Sequence, residues 1–242
     1  MEKETERKKL IIFWGGEVVA LIWILVGLSL FLTGVAPTPF WKISTELGII
    51  AYLTVLLILV KGKERFLLSL ATIAYILYTG GSLVMDIHWV TVGLLYGFGH
   101  LALALSIALS YRTLPKLKSW RAIASIVAAA VGEAYVIALA VVSTENGLDT
   151  FLLWLYMTSE LTILVSGILF WPTVQQLAFC AMGMVAYFVS DTGVAVEHYT
   201  GQQELVLLVY STYFIALVFN AIPVVYEVYL TIKQPPYTEQ IN

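Results

Sequence analysis

The feature of this chain that most restricts its fold is a succession of long apolar runs separated by short charged or polar connections. A helix needs roughly 20 apolar residues to cross the hydrocarbon core of a bilayer, and runs of about this length recur along the whole sequence. The sequence therefore predicts an all-α, polytopic transmembrane helix bundle of about eight spans that forms one domain over residues 1–242. The predicted spans are residues 10–32, 44–60, 66–85, 89–111, 122–142, 150–171, 173–198 and 205–232.

The composition supports a membrane protein and excludes several other classes. Apolar residues make up 60% of the chain and charged residues only 12%, and the mean hydropathy is +0.88. A water-soluble domain of this length has no core large enough to hide so much apolar surface. We therefore expect a multi-pass protein of the cell membrane whose partner is membrane lipid. The basic patch typical of nucleic-acid binding is absent from the sequence, and the oligomeric state stays open.

The positions of Lys and Arg predict the orientation in the membrane. Positive charges in short connections favour the cytoplasmic side. With the N-terminus inside, twelve of the thirteen positive charges fall in cytoplasmic segments, and Lys42 alone is expected outside. We therefore expect both termini in the cytoplasm, which requires an even number of spans.

Ionisable residues inside the predicted spans are the first candidates for a functional site, because an unpaired charge in the hydrocarbon costs a few kcal/mol. His100, Glu133 and Glu160 each lie near the middle of their runs, and at a rise of about 1.5 Å per residue all three fall near the midplane. They are expected to form one buried polar cluster. Two interpretations stay open, a structural network that holds helices together and a working acid/base site.

Polar residues of the last two runs predict that this cluster continues toward the outer rim. Residues four and seven apart share one face of a helix. A polar stripe in a helix otherwise rich in Val, Leu and Ile is expected to face the interior of the bundle. The residues concerned are Tyr187, Asp191 and His198 in the seventh run, Tyr213 and Asn220 in the eighth, and Asp86 in the loop after the third.

The sequence gives little sign of a metal or an organic cofactor. The chain contains three His, but none of them forms the His-x-x-x-His or His-Glu-x-x-His spacing of a helical zinc site. It also has no Walker or Rossmann glycine pattern, and the last run carries no Lys for a rhodopsin-type Schiff base. We therefore expect no bound metal and no cofactor.

The seventh predicted span contains the segment Ala-Tyr-Phe-Val-Ser190-Asp191-Thr-Gly-Val-Ala-Val. This segment resembles the Phe-x-x-Ser-Asp-x-x-x-Ala pattern of the lysoplasmalogenase family, the YhhN-like integral membrane proteins. The segment Gly93-Leu-Leu-Tyr96-Gly-Phe-Gly-His100 is similar to the family's combination of Gly, aromatic and His residues on an earlier span. Eight spans and a chain of about this length are also what the family implies.

Two further places in the chain bear on this resemblance. Tyr210-Ser-Thr-Tyr213 is similar to the Tyr-rich last span of the family. The family's early Gly-Asp motif aligns near Gly80-Gly81-Ser82, where this chain has no acid.

The resemblance implies hydrolysis of the vinyl-ether bond of a lysoplasmalogen, which yields a fatty aldehyde and a glycerophospho-alcohol. This reaction needs an acid that protonates the enol-ether carbon and a second group that delivers water. We expect Asp191 and His100 as the central pair, Glu160 or Glu133 as the proton reservoir, and Tyr213 as an orienting hydroxyl. The expected substrate-binding residues are Ser190, Tyr187, Tyr96, Asp86, His198 and Asn220.

A non-enzymatic alternative fits the same residues. A membrane sensor, a transporter or an accessory subunit also uses buried carboxyl groups to bind a small ligand or a lipid. A lipid panel and an assay for aldehyde release distinguish these alternatives.

Overall fold

A computed structural model of the chain describes residues 2–34, 38–84, 89–110, 119–142, 144, 146–170, 175–200 and 206–233, without the side chains of some helix ends, including those of residues 195–200. All regular elements in these ranges are α-helices, which confirms the predicted helical class. They are α1 (Glu2–Leu32), α2 (Thr38–Leu59), α3 (Gly62–Val84), α4 (Trp89–Ser110), α5 (Ser119–Val142), α6 (Gly147–Phe170), α7 (Gln175–Thr200) and α8 (Val206–Lys233).

Six of the helices in the described ranges, α1, α2, α3, α5, α6 and α8, are long and apolar enough to cross a membrane, and α4 contains a shorter apolar segment, Thr91–Ser106. The outer surface of the bundle is rich in exposed aliphatic side chains such as Val19, Ile126 and Val131. A large exposed apolar surface needs an apolar solvent. The chain is therefore a multi-pass helical membrane protein.

Helix α2 begins earlier than the sequence predicts, and this changes the interior of the bundle. The predicted span starts at residue 44, whereas α2 starts at Thr38. Pro39 stands in its first turn, where a missing backbone N–H leaves no hydrogen bond broken. The earlier start places Lys42 inside the helix, where its side chain is buried with 7% exposure. The expectation that Lys42 lies in an outer connection is therefore wrong.

The helices that matter for the site surround a common core. Helix α7 packs against α8, α3 against α4, and α4 also against α6, while α8 contacts α1, α2, α3 and α4. Helix α5 packs mainly on α6 and lies at the edge of the bundle. The core between α2, α3, α4, α6, α7 and α8 is lined by the buried tyrosines Tyr75, Tyr78, Tyr96, Tyr156, Tyr187 and Tyr213.

Glycines allow the closest helix approach beside this core. A Cβ atom at Gly99 in α4 would lie 2.5 Å from the Tyr78 ring and 3.1 Å from the carbonyl oxygen of Ala74, both in α3. A Cβ atom at Gly81 in α3 would lie 2.5 Å from the Tyr96 ring. Small residues at such crossings let helix backbones approach and pack without a gap. The α3–α4 pair is therefore held at a distance that positions Tyr78 and Tyr96.

Candidate functional site

His100 and Glu160 form the innermost part of the polar core. Both side chains are fully buried, and His100 Nε2 lies 3.6 Å from Glu160 Oε1, which is slightly too long for a direct hydrogen bond. Neither ring nitrogen of His100 and neither carboxyl oxygen of Glu160 has a hydrogen-bond partner among the described residues. Buried polar atoms in proteins are normally paired. The pair therefore presents four polar atoms that a small polar molecule or a substrate group can bind.

Tyr156 links this pair to Asp191. The Tyr156 hydroxyl donates a hydrogen bond of 2.6 Å to Asp191 Oδ2 in α7. The Tyr156 ring stacks on the His100 ring, with centroids 5.3 Å apart and an interplanar angle of 26°. The predicted central residues Asp191 and His100 are thus brought together through a tyrosine that the sequence interpretation missed. The available signal was the spacing of four residues between Tyr156 and Glu160, which places both on one face of α6.

Aromatic rings enclose the histidine from the remaining sides. The His100 ring meets Tyr187 edge to face, with centroids 5.2 Å apart, and lies 5.1 Å from the Tyr78 ring. Tyr187 in turn contacts Tyr213 at 5.6 Å, and Tyr78 stacks on Tyr96 at 5.6 Å. Aromatic pairs at these separations attract one another beyond the area that they bury. The three tyrosines predicted from the sequence, Tyr96, Tyr187 and Tyr213, therefore form part of a packed aromatic wall.

A second polar group, which the sequence interpretation missed, surrounds Glu46 in α2. Its carboxylate is fully buried and accepts a hydrogen bond of 2.7 Å from Ser82 and another from the Tyr213 hydroxyl. Tyr96 shares hydrogen bonds with Ser82 at 2.8 Å and with Tyr213 at 3.2 Å. Lys42 Nζ lies 4.2 Å from the centroid of the Tyr213 ring and 5.3 Å from that of Tyr96. We refer to Lys42, Glu46, Ser82, Tyr96 and Tyr213 as the lysine group.

Lys42 was not predicted because the second predicted span begins at residue 44, and Glu46 was missed although it lies inside that span. A Lys and a Glu four residues apart lie on one face of a helix, so Lys42 and Glu46 point in the same direction once α2 is extended to Thr38. This spacing, in a helix that is otherwise apolar, was the signal available in the sequence.

Glu133 does not join the core. Its carboxylate accepts hydrogen bonds from the Trp154 indole and, at 3.2 Å, from the Thr158 hydroxyl. Thr158 and Glu160 are two residues apart in α6, and at about 100° per residue they point to opposite sides of the helix. The structure thus separates Glu133 from His100 and Glu160, although the sequence predicts similar depths for all three.

Ser190 and Asn220 lie where α7 packs against α8. The Ser190 hydroxyl donates a hydrogen bond of 3.1 Å to the carbonyl oxygen of Val209. The Asn220 side chain is fully buried, and a Cβ atom at Gly183 would lie 2.7 Å from its Oδ1 atom. Both residues lie next to the core rather than in its polar centre.

Two predicted residues lie beyond what the structure describes. Asp86 falls outside the described residues, and His198 belongs to α7 but its side chain is not described. Within the described ranges no three His, Cys, Asp or Glu side chains converge in a metal-binding arrangement.

Comparisons with protein-family models, with curated proteins and with solved structures return no match for this chain. Its function is therefore inferred from the chemistry of the buried core.

Proposed function

We propose that this protein is an intramembrane hydrolase that cleaves the vinyl-ether bond of a lysoplasmalogen or a related ether lipid and releases a fatty aldehyde. The observation that supports this proposal is the convergence of His100, Glu160 and Asp191 from three helices in one buried core, with Tyr156 between them. Two of these residues, His100 and Asp191, also belong to the motifs that resemble the lysoplasmalogenase family.

The reaction has one difficult step, the transfer of a proton to the enol-ether carbon. Glu160 makes no direct hydrogen bond within the described residues and interacts with a second carboxyl group, Asp191, and a buried carboxyl in such surroundings avoids a cost of several kcal/mol by carrying a proton. We therefore assign Glu160 as the acid. Asp191, oriented by Tyr156, stabilises the oxocarbenium ion that follows.

Water completes the reaction. His100 lies 3.6 Å from Glu160 and its nitrogens have no partner within the described part of the chain, so it is placed to take a proton from a water molecule. The activated water adds to the oxocarbenium carbon and gives a hemiacetal. The hemiacetal then breaks its bond to the glycerol oxygen, which leaves as an alcohol while the aldehyde is released.

The lysine group contains a carboxylate next to Ser82, in the region where this chain lacks the acid of the family's early Gly-Asp motif. Ser82 stands where the family's early motif has an acid, and in this chain Ser82 donates its hydroxyl proton to Glu46. We propose that Glu46 supplies from α2 the carboxylate that the third span lacks. In this arrangement the carboxylate comes from α2 instead of α3.

The experiment is aldehyde release from lysoplasmalogen by the purified protein in detergent, measured with a coupled aldehyde dehydrogenase. Loss of one acid/base group costs about 10²- to 10⁴-fold, so Asp191→Asn and Glu160→Gln are expected to reduce the rate by at least about a hundredfold. The matched control is Glu133→Gln, the same chemical change on the opposite side of α6, which is expected to retain the rate.

An undiminished rate in Asp191→Asn, or an equal loss in Glu133→Gln, would contradict the proposed site. Specific lipid binding without any aldehyde release from the native protein would instead support the alternative, a non-enzymatic membrane protein that binds a lipid or a small ligand.

We further propose that all eight helices cross the bilayer and that both termini are cytoplasmic, since twelve of the thirteen positive charges then lie on the cytoplasmic side. The single cysteine of the chain, Cys180, allows a simple test after its replacement by Ser. A cysteine introduced at the exposed position of Lys63 is expected to react with a membrane-impermeant maleimide in inverted vesicles only. Reaction in right-side-out vesicles would reverse the orientation.

A further inference from the structure

Lys42 is a buried amine that the proposed hydrolysis does not use. Among the lysines whose side chains are described, it is the only buried one. Its ammonium group lies against the faces of the Tyr213 and Tyr96 rings, at 4.2 and 5.3 Å from their centroids. Lysines that form Schiff bases are held at desolvated positions, and here a carboxylate one turn away, that of Glu46, is available to take the proton from the amine.

We propose that Lys42 is the attachment site of a lipophilic aldehyde, which it binds as a Schiff base with Glu46 as the acid/base and the counter-ion. The long alkyl chain of the proposed aldehyde is inferred from the position of Lys42 inside a membrane bundle. The site lies inside a bundle whose outer surface is apolar, and an aldehyde with a long alkyl chain concentrates in the lipid around that surface. A small hydrophilic aldehyde gains nothing from such surroundings and stays in water.

Glu46 is placed to perform the proton transfers that the condensation requires. It lies one turn along α2 from Lys42, and the two side chains interact electrostatically. Hydrogen bonds from Ser82 and Tyr213 fix its carboxylate in one orientation. The Tyr96 hydroxyl interacts with the Lys42 amine and shares a hydrogen bond of 3.2 Å with the Tyr213 hydroxyl, which donates to the carboxylate, so the two hydroxyls can pass a proton between amine and carboxylate.

The steps balance without an oxidant or a reductant. Glu46 takes one proton from the Lys42 ammonium group, and the free amine attacks the carbonyl carbon to form the C–N bond. The carbonyl oxygen receives a proton from the attacking nitrogen, which gives a carbinolamine. The protonated Glu46 then donates to the hydroxyl, the C–O bond breaks, water leaves, and the nitrogen lone pair forms the C=N bond.

The charge balance of the core is the same before and after the condensation. An ammonium ion with one positive charge becomes an iminium ion with one positive charge, and Glu46 returns to its carboxylate form. Both cations face the Tyr213 and Tyr96 rings, which attract a positive charge over their faces. The product therefore meets the surroundings that already accommodate Lys42, and Glu46 remains its counter-ion.

The test supplies the aldehyde directly and does not depend on hydrolysis. The purified full-length protein in nanodiscs is incubated with a limiting amount of hexadecanal and sodium cyanoborohydride, which reduces an iminium ion to a stable secondary amine. Peptide mass spectrometry then locates the added alkyl chain. Because the reacting groups are held together at the site, Lys42 is expected to be labelled at least about tenfold more than exposed lysines such as Lys8 and Lys63.

Three comparisons make the result specific. Lys42→Arg keeps the cation over the rings but cannot form an imine, so the selective label is expected to disappear. Glu46→Gln keeps an acceptor for Ser82 and Tyr213 but loses the acid, so the initial labelling rate is expected to fall at least about tenfold. Glyoxylate, a hydrophilic aldehyde, is expected to label exposed lysines only.

Labelling of Lys42 no greater than that of exposed lysines in the native protein would overturn the inference, and an unchanged labelling rate in Glu46→Gln would overturn the role of Glu46. The native peptide map decides the first question even where Lys42→Arg does not fold. Selective labelling without hydrolysis refutes only the proposed hydrolase. Hydrolysis without selective labelling refutes only the Schiff base.

Discussion

Gly99→Ala tests how tightly α3 and α4 are packed beside His100. The added methyl group would lie 2.5 Å from Cε1 and 2.8 Å from Cδ1 of Tyr78, and 3.1 Å from the carbonyl oxygen of Ala74. The Tyr78 ring has little freedom to move, because it stacks on Tyr96 and also contacts His100. The backbone oxygen of Ala74 cannot turn away either, so the two helices must separate.

The expected loss of stability follows from two opposing contributions. Overpacking of a well-packed core costs about 1–3 kcal/mol. Alanine is more favourable than glycine in a helix interior by about 1 kcal/mol, which offsets part of this cost. The free energy of unfolding of Gly99→Ala should therefore fall by about 1 kcal/mol, within a range of roughly 0–2 kcal/mol. Hydrolysis should fall more, because a shift of about 1 Å at a reacting group can reduce a rate a hundredfold.

The assay is reversible unfolding in mixed micelles titrated with SDS, together with aldehyde release. Gly15→Ala in α1 is the control, since a Cβ atom there would meet no heavy atom within 4 Å. It should gain up to about 1 kcal/mol from helix propensity and keep its activity. If Gly99→Ala is as stable and as active as Gly15→Ala, the close packing of α3 on α4 does not position His100.

Other substitutions test single contacts of the core by the same unfolding measurement. Tyr75→Phe removes the hydrogen bond of 2.7 Å that joins α3 to the Leu217 carbonyl of α8, and should cost about 1 kcal/mol; stability equal to that of the native protein would show that the bond contributes nothing. Ser82→Ala removes one of the donors to the buried carboxylate on α2 and should cost about 1–3 kcal/mol; a gain in stability would contradict this. Glu160→Leu should keep or raise stability, since an apolar residue replaces a buried group without partners, but should abolish hydrolysis; a large loss of stability would assign Glu160 a structural role.

The helical class was predictable because hydropathy reports directly which segments lie in lipid or in the core. Each predicted span overlaps one helix of the described residues, and the bounds of α3, α4 and α8 differ from the prediction by only a few residues. The start of α2 was not predictable from hydropathy, since a Lys normally marks a span end. Its burial depends on the rings of Tyr96 and Tyr213, which come from helices more than fifty residues away.

The level of a residue along its helix was predictable in part, but its direction around the helix axis was not. The positions of His100 and Glu160 in their runs predict that they lie close together, and the structure places them 3.6 Å apart. Glu133 has a similar position in its run, but its carboxylate contacts Trp154 and Thr158 on the far side of α6. Distinguishing the two sides requires knowing which helices pack on α6, and this information is not contained in the local sequence.

The partners of the three core carboxyl groups explain why the functional centre is expected at Glu160. Glu46 accepts hydrogen bonds from Ser82 and Tyr213, and Asp191 accepts one from Tyr156, so each already has a defined orientation and its burial is partly compensated. Glu160 makes no direct hydrogen bond within the described ranges, and neither does the neighbouring His100. A protein selected only for stability would lose little by replacing such a pair with apolar residues. Keeping an acid and an imidazole without partners at the centre of a membrane protein costs stability, and a cost of this kind is retained at sites where a ligand or a substrate supplies the missing partners.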